Sequence, residues 1–229
     1  MVTPHPQVIP EPDIEIVYSD QDLLVVNKPA NLLSIPDGYD KTKPTLPSLL
    51  EQAWGRLWVV HRLDKGTSGL IVFARNSHTH QHLNQQFRER NVSKRYHAVV
   101  MPPPLWESLD LNEPLQINAD RMHRTRVDLK KGKPAETKVR VIKAYPQTTL
   151  LECVLVTGFT HQIRAHLYHQ GIWIIGDELY NPLRPQAALL PRSDRILLHA
   201  CELGFTHPSS FEALIFRVKN PACFDSFLN

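Results

Sequence analysis

The sequence predicts an α+β fold: a mixed, mostly antiparallel sheet with peripheral helices and loops. Three observations carry that expectation. Strand-like runs outnumber helix-like ones. Many adjacent strand-like runs are joined by connections that suit hairpins, and the regular strand–helix alternation of a doubly wound sheet is missing. The chain has 229 residues, 42% hydrophobic and 21% charged, an ordinary globular composition with enough length to bury a core. The expected organisation is an irregular arm over 1–13, with prolines at 4, 6, 10 and 12, followed by a single domain over 14–229.

The elements follow from local pattern. Ile14–Tyr18 and Asp22–Val26 read as two strands joined by Ser19-Asp20-Gln21, and Asn27-Lys28-Pro29 breaks the second. Pro36 to Pro47 reads as loop, and a short helix is expected from Pro47 or Ser48 to Trp54. Leu57–Val60 and Leu70–Ala74 are rich in β-branched and aromatic residues and read as buried strands around a polar connection. Ser77 suits the N-cap of a helix running to Arg90, with Leu83 and Phe87 on one face. Tyr96–Val100 is strand-like, and Pro102 to Pro104 open a polar, basic excursion to Ala135, expected as a peripheral subdomain or arm. Val139–Tyr145 and Thr149–Val156 form a hairpin pattern around Pro146-Gln147. A helix is expected from Thr160 or His161, closed by Gly171. Ile172–Gly176, Arg195–Phe205 and Phe211–Val218 complete the apolar runs.

Composition narrows the classes of function. The formal charge of +3 says little about partners, but its distribution says more. Cys153, Cys201 and Cys223 are odd in number and form no Cys-x-x-Cys pair, which argues against a disulfide framework and fits a reducing cytosol. The first residues lack a basic segment followed by an apolar core, so no signal peptide is read there. No apolar run approaches the ~20 residues of a membrane span.

Two stretches concentrate chemistry. The connection His61-Arg62-Leu63-Asp64-Lys65-Gly66-Thr67-Ser68-Gly69 puts a base, a cation, a carboxylate and hydroxyls between two core strands. An extended backbone would place Arg62 and Asp64 on one face, where the guanidinium keeps the carboxylate ionised. The same residues also suit a plain hairpin turn. The second stretch is Thr157 to His166, where helical spacing puts His161 and Arg164 on one face. His161 and His166 are five apart, which diverges from the four-residue spacing of a shared metal, so no metal site is expected. His166 and His169 read as surface or interface polarity. Arg88, Arg90, Lys94 and Arg95 beside Tyr96, with Arg124, Arg126, Lys130 and Lys131 in the excursion, suit a phosphate backbone and a stacked base.

At this point the sequence resembles the RluA-type RNA pseudouridine synthases. His61 to Leu70 is similar to the family's catalytic motif. Asn27 to Ser34, Lys94 to Ala98, Gly132 to Thr137, and Thr157 to His166 with Ile175-Gly176-Asp177 and Leu197-Leu198-His199-Ala200 are similar to its other segments. The likeness runs from about residue 14 to 218. It implies a cofactor-free isomerase that detaches uracil from ribose, rotates it and rejoins it through carbon 5. Asp64 would be the nucleophilic or electrostatic carboxylate, Tyr96 would pack on the base and help move a proton, and Arg164 would pair with Asp64. Arg62 would hold the RNA after the uridine is flipped out, with His61, Thr67, His161 and Leu198 in the substrate site. Arg124, Arg126, Lys130 and Lys131 would hold RNA farther out.

Two positions depart from the family pattern: Asn31 replaces a common glycine, and Phe159 replaces an arginine. The 26 residues before Asn27 leave no room for the N-terminal RNA-binding domain of many relatives, so a short form is expected. The expected partner is ribosomal RNA, transfer RNA or both, for a cytoplasmic monomer without a membrane or an obligate protein partner. The rival reading is an RNA-binding or RNA-folding factor with little turnover. A nucleoside glycosidase would need a second catalytic carboxylate, which the motifs do not supply.

Overall fold

A computed structural model describes residues 14–38, 40–181 and 192–228. The arm expected over 1–13 lies outside the described residues. The sheet is mixed and mostly antiparallel, as the sequence predicts. Strands β1 (Glu15–Ser19), β2 (Leu23–Lys28), β3 (Trp58–Val59), β4 (Ser68–Ala74), β5 (Ser93–Met101) and β6 (Ser108–Leu111) come from the first half. A small separate pair, β7 (Leu115–Gln116) and β8 (Arg126–Val127), precedes β9 (Thr137–Ala144), β10 (Thr149–Leu155), β11 (Trp173–Ile174), β12 (Leu198–Thr206) and β13 (Ala213–Arg217). The order along the main sheet is β1-β2-β4-β12-β5-β10-β9-β6, with β3 added to β4, β11 to β5 and β13 to β12.

The continuous apolar runs reflect burial on both faces. Leu24 and Val26 of β2, with Ile71 and Phe73 of β4, enter one core cluster. Leu23 and Val25, with Leu70, Val72 and Ala74, enter the other. Successive strand residues point to opposite faces, so a strand covered on both sides reads as a run without alternation. Each fully buried Leu, Ile, Val or Phe here contributes on the order of 1.5–3 kcal/mol.

Helices α1 (Leu46–Trp54) and α3 (Gln162–His169) pack on the first cluster through Leu46, Leu50, Ile163 and Leu167. Helix α2 (Ser77–Arg88) packs on the second through Leu83 and Phe87. Its N-cap is Asn76, one residue before the expected Ser77; the Asn76 side chain accepts the Thr79 N–H. Either residue type can cap, and only the local backbone decides between them.

Among the paired strands of the described residues, β4 and β12 alone run parallel, joining Ser68 to His199 and Gly69 to Ala200. Gly69 has φ +114°, and any Cβ there would collide with the Ala200 backbone. Ser68 and Gly69 therefore belong to a buried strand rather than to the turn before it. Strand β12 in turn pairs Ala200 with Tyr96 on β5. The loop leading into β4 is thereby set two strands from Tyr96.

The basic excursion over 102–135 is less peripheral than expected. Its β6 forms the edge of the main sheet against β9. Leu115 and Ala135 join Ala165 and Tyr180 in a small third core. His166, read from sequence as surface polarity, is fully buried; Thr137 Oγ1 and the Glu113 carbonyl meet its two ring nitrogens at 2.9 Å each. The excursion covers α3 and supplies that carbonyl, a contact no local pattern encodes. A 3-10 helix at Ala222–Phe227 also went unforeseen.

Candidate active site

A cleft of about 430 Å³ opens between the loop before β4, the C-terminal end of α2 and the start of α3. His61, Arg62, Asp64, Thr67, Tyr96, His161, Arg164 and Leu198 all line it, from segments far apart in the chain. Asp64 and Arg164 meet at 3.3 Å, Nη1 to Oδ2. His161 Nε2 stands 3.7 Å from the same Oδ2. Among the described residues no donor meets Asp64 Oδ1.

Arg164 is itself fixed from behind. Its Nε and Nη2 donate to the two oxygens of Asp177 at 2.7 and 2.8 Å, a bidentate pair, and its guanidinium lies over the Tyr180 ring at 4.9 Å. Asp177 is buried and also accepts the Leu179 and Tyr180 N–H groups. Gly176, at φ +77° and too close to Arg195 for any Cβ, turns the chain from β11 so that Asp177 reaches α3.

The start of α3 is held by Gln162. Its side chain donates to the Glu136 carbonyl and to Thr137 Oγ1, and accepts from Thr157 Oγ1 and the Phe159 N–H. His161 precedes it in a left-handed conformation, φ +57°. Phe159 lines the cleft and packs partly into the third core.

Tyr96 is buried, and burial pushes its phenol well above its ordinary range, with the Asp64 charge adding to the shift. His61 is a wall of the cleft: Nε2 accepts the Val72 N–H at 3.1 Å and the ring stacks on Phe87 at 4.6 Å. Burial, helped by Lys94, pushes it down to about 3. Thr67 is buried, and its N–H donates to the Asp64 carbonyl at 3.0 Å, closing the turn that carries the carboxylate.

Arg62 lines the cleft, but the ion-pair partner of Asp64 is Arg164, with the His161 ring beside it, rather than Arg62. The two-residue spacing expected to bring Arg62 to Asp64 holds only in an extended strand, and this segment is a loop. Arg88, Arg90 and Lys94 also line the cleft. Arg95 alternates to the other side of β5, where it pairs with Glu152 and Glu202.

The residues expected to hold RNA from the excursion do not line this cleft. Arg124 and Arg126 both pair with Asp120, at 2.8 and 2.6 Å, and the Lys130 and Lys131 N–H groups cap Asp128. Among the described residues no group of three or more His, Cys, Asp or Glu is placed to hold a metal ion.

Sequence reasoning left two site residues without a role. Asp177 lies in the Ile175-Gly176-Asp177 segment, where nothing local marks it as the main partner of Arg164. Lys28 is fully buried, and its Nζ donates to the carbonyls of Pro29, Leu32 and Lys65, fastening the Asn27–Leu32 turn to the loop that bears Asp64. Burial, with Arg195 nearby, pushes it down to about 7, while Asp64 opposes the shift. A lysine directly before a proline, after an apolar strand, is the available signal. Asn31 takes the left-handed φ of +65° in that turn, as expected for an asparagine in place of glycine.

The cleft thus holds a carboxylate gripped by a braced arginine, beside a buried tyrosine and under a basic rim. The family model described as RNA pseudouridylate synthase matches residues 22–169. The dual-specificity RNA pseudouridine synthase RluA of Haemophilus influenzae is 37% identical over 211 residues, covering 92% of this chain and 94% of that one. The ribosomal large subunit pseudouridine synthase D of Zymomonas mobilis is 35% identical, covering 94% of this chain and 71% of that one. The solved structure of human RNA pseudouridylate synthase domain containing 1 superposes with a TM-score of 0.77 at 26% identity, covering 91% of this chain and 84% of that one. The chain belongs to the RNA pseudouridylate synthase family, isomerases that convert uridine in RNA to pseudouridine.

Proposed function

We propose that this chain isomerises uridines in ribosomal RNA, transfer RNA or both, using Asp64 at the sugar and Tyr96 at the base. The names of its relatives, one a dual-specificity RNA enzyme and one a ribosomal large subunit enzyme, support that range of substrates. The carrying observation is the Arg164 guanidinium, bidentate to Asp177 and in contact with Asp64 Oδ2. That brace leaves Asp64 Oδ1 for the substrate and spares the carboxylate any reorganisation during the reaction.

A target uridine flips out of its stack into the cleft and packs on Tyr96. Asp64 attacks or electrostatically stabilises C1′ as the N1–C1′ bond breaks. The uracil turns and C5 bonds to C1′. The C5 hydrogen leaves as a proton, and N1 takes one from water. Arg62, Arg88, Arg90 and Lys94 hold the phosphates around the flipped nucleotide. Arg124, Arg126, Lys130 and Lys131 contribute to holding RNA that lies outside the cleft.

No helix among the described residues is long and apolar enough to cross a membrane. We place the enzyme in the cytoplasm, acting as a monomer without a protein partner. The test is pseudouridine mapping across ribosomal and transfer RNA from cells with and without the gene. Loss of specific pseudouridines on deletion, restored by the wild-type chain but not by Asp64→Asn, is expected. Restoration by Asp64→Asn would favour a binding or folding factor instead.

A further inference from the structure

A uridine that leaves its stack takes a stacking partner away from the nucleotide beside it. The rings lining the cleft are those of His61, Phe87, Tyr96, Phe159 and His161. His61 and Phe87 stack on each other with centroids 4.6 Å apart. His161 stands edge-on to Tyr180 at 5.7 Å. Tyr96 is buried and receives the target uracil in the reaction proposed above. Phe159 alone is half-buried and without a ring partner among the described residues.

The mount of the Phe159 ring is rigid. Its N–H donates to Gln162 Oε1 at 3.0 Å, and its carbonyl accepts the Gln162 N–H at 3.1 Å. The next carbonyl, that of Thr160, accepts from Thr125 Oγ1 at 2.7 Å. With Val127 and Leu179 the ring packs against the third core, so its remaining surface is offered on the cleft side. A ring fixed in this way loses little freedom when a base covers it.

The surroundings suit a nucleotide rather than a plain apolar group. Asp64 is the one carboxylate among the residues lining the cleft, and Arg164 holds it. Arg88, Arg90 and Lys94 line the same cleft with no carboxylate partner among the described residues. Lys94 Nζ lies beside Gly158, where an added Cβ would stand 3.4 Å from it. An ammonium group thus adjoins the residue before Phe159, within reach of the phosphate of a nucleotide whose base covers the ring.

We infer that Phe159 is a specificity-determining residue whose ring stacks the base of the nucleotide next to the flipped uridine, with Lys94 at that nucleotide's phosphate. The inference rests on the reaction proposed above and adds a requirement on the substrate. Stacking tolerates any base, but the neighbour must be unpaired to reach the ring. The enzyme therefore selects uridines in loops, bulges or single strands over those inside a continuous duplex.

The test measures RNA affinity by filter binding in the Asp64→Asn background, which holds the RNA unconverted. The probes are a single-stranded segment around a uridine assigned by the pseudouridine mapping, and the same segment with an abasic nucleotide at the 5′ or the 3′ neighbour. With Phe159 in place, one of the two abasic probes should bind about tenfold or more weakly than the intact segment. Phe159→Leu keeps an apolar side chain against the third core; it should bind the intact segment as weakly, and the abasic penalty should vanish. The dependence on salt should be equal in the two chains, because no phosphate contact is lost. Light should crosslink 5-iodouridine at that neighbour to Phe159. The inference is overturned by a crosslink only elsewhere, by no penalty at either neighbour, or by the same penalty in Phe159→Leu. That last result marks a packing role even if Phe159→Leu binds more weakly. Failure of the wild-type chain to release C5 tritium from any RNA would instead sink the underlying reaction, and the inference with it.

Discussion

Arg164 gives Asp177 two hydrogen bonds, at 2.7 and 2.8 Å, and leaves its third nitrogen for Asp64. The stronger grip is on the residue behind the site, so Asp177 fixes the guanidinium that in turn fixes Asp64. Asp177→Ala should therefore cost activity without touching substrate. Removing one partner of a buried pair costs about 3–5 kcal/mol, which corresponds to a melting point lower by roughly 10 °C in a chain of this size. A misplaced carboxylate should slow turnover about a hundredfold. Calorimetry and tritium release from RNA labelled at uracil C5 would check both, and an unchanged rate would mean that Asp64 is positioned by other contacts.

Gly69 should resist substitution. A methyl group at this position meets the Ala200 backbone at the parallel junction of β4 and β12, and the positive φ adds strain. Gly69→Ala is expected to lose at least about 2 kcal/mol, read as a lower urea midpoint. A control at Gly38, where a Cβ meets nothing, should leave the midpoint unchanged.

Acid should destabilise the fold between pH 6.5 and 4. His199 is fully buried; desolvation, then Arg195 and His97, push it down to about 4, and His61 lies at about 3. Both values fall below that of a free imidazole, so the unfolded chain binds protons that the folded chain refuses. Stability from this source is complete above about pH 6.5 and is lost as pH falls, at up to about 1.4 kcal/mol per pH unit for each group. Urea midpoints across this range should show the slope, and His199→Asn should flatten it by one proton's worth.

The basic rim of the cleft should dominate RNA affinity. Arg88 and Arg90 line the cleft, whereas Arg124 and Arg126 are both engaged by Asp120. Replacing Arg88 and Arg90 with glutamine should lower the dependence of log K on log salt by about 0.7 for each phosphate that is no longer neutralised. The same change at Arg124 and Arg126 should do less. The reverse order, measured by filter binding across a salt series, would move the RNA to the excursion.

Much of this arrangement was legible in the sequence. The strands announced themselves because burial on both faces turns them into runs such as Leu70–Ala74, and the family resemblance implied one site for Asp64, Tyr96 and Arg164, all of which line the cleft. What stayed hidden depends on distant pairing. The parallel contact of Gly69 with Ala200, the grip of Arg164 on Asp177 and the buried His166 each join segments that no local window contains. Arg62 was expected beside Asp64 because side-chain alternation was applied to a loop, and Arg95 was grouped with Arg88, Arg90 and Lys94 by nearness in sequence although it faces Glu152 and Glu202. The arginines of the excursion looked free because the neighbouring carboxylate of Asp120 gives no sign, in sequence, of turning toward them, whereas Asp128 takes only the backbone N–H groups of Lys130 and Lys131.

The most direct test of the central claim compares wild type with Asp64→Asn in tritium release from RNA labelled at uracil C5. Asparagine keeps the shape and can still accept from Arg164, but it lacks the charge and nucleophilicity of the carboxylate. Release by the wild-type chain, with none above background from Asp64→Asn at equal RNA binding, is the expected result. Equal release from both would contradict the assignment of Asp64 as the catalytic carboxylate.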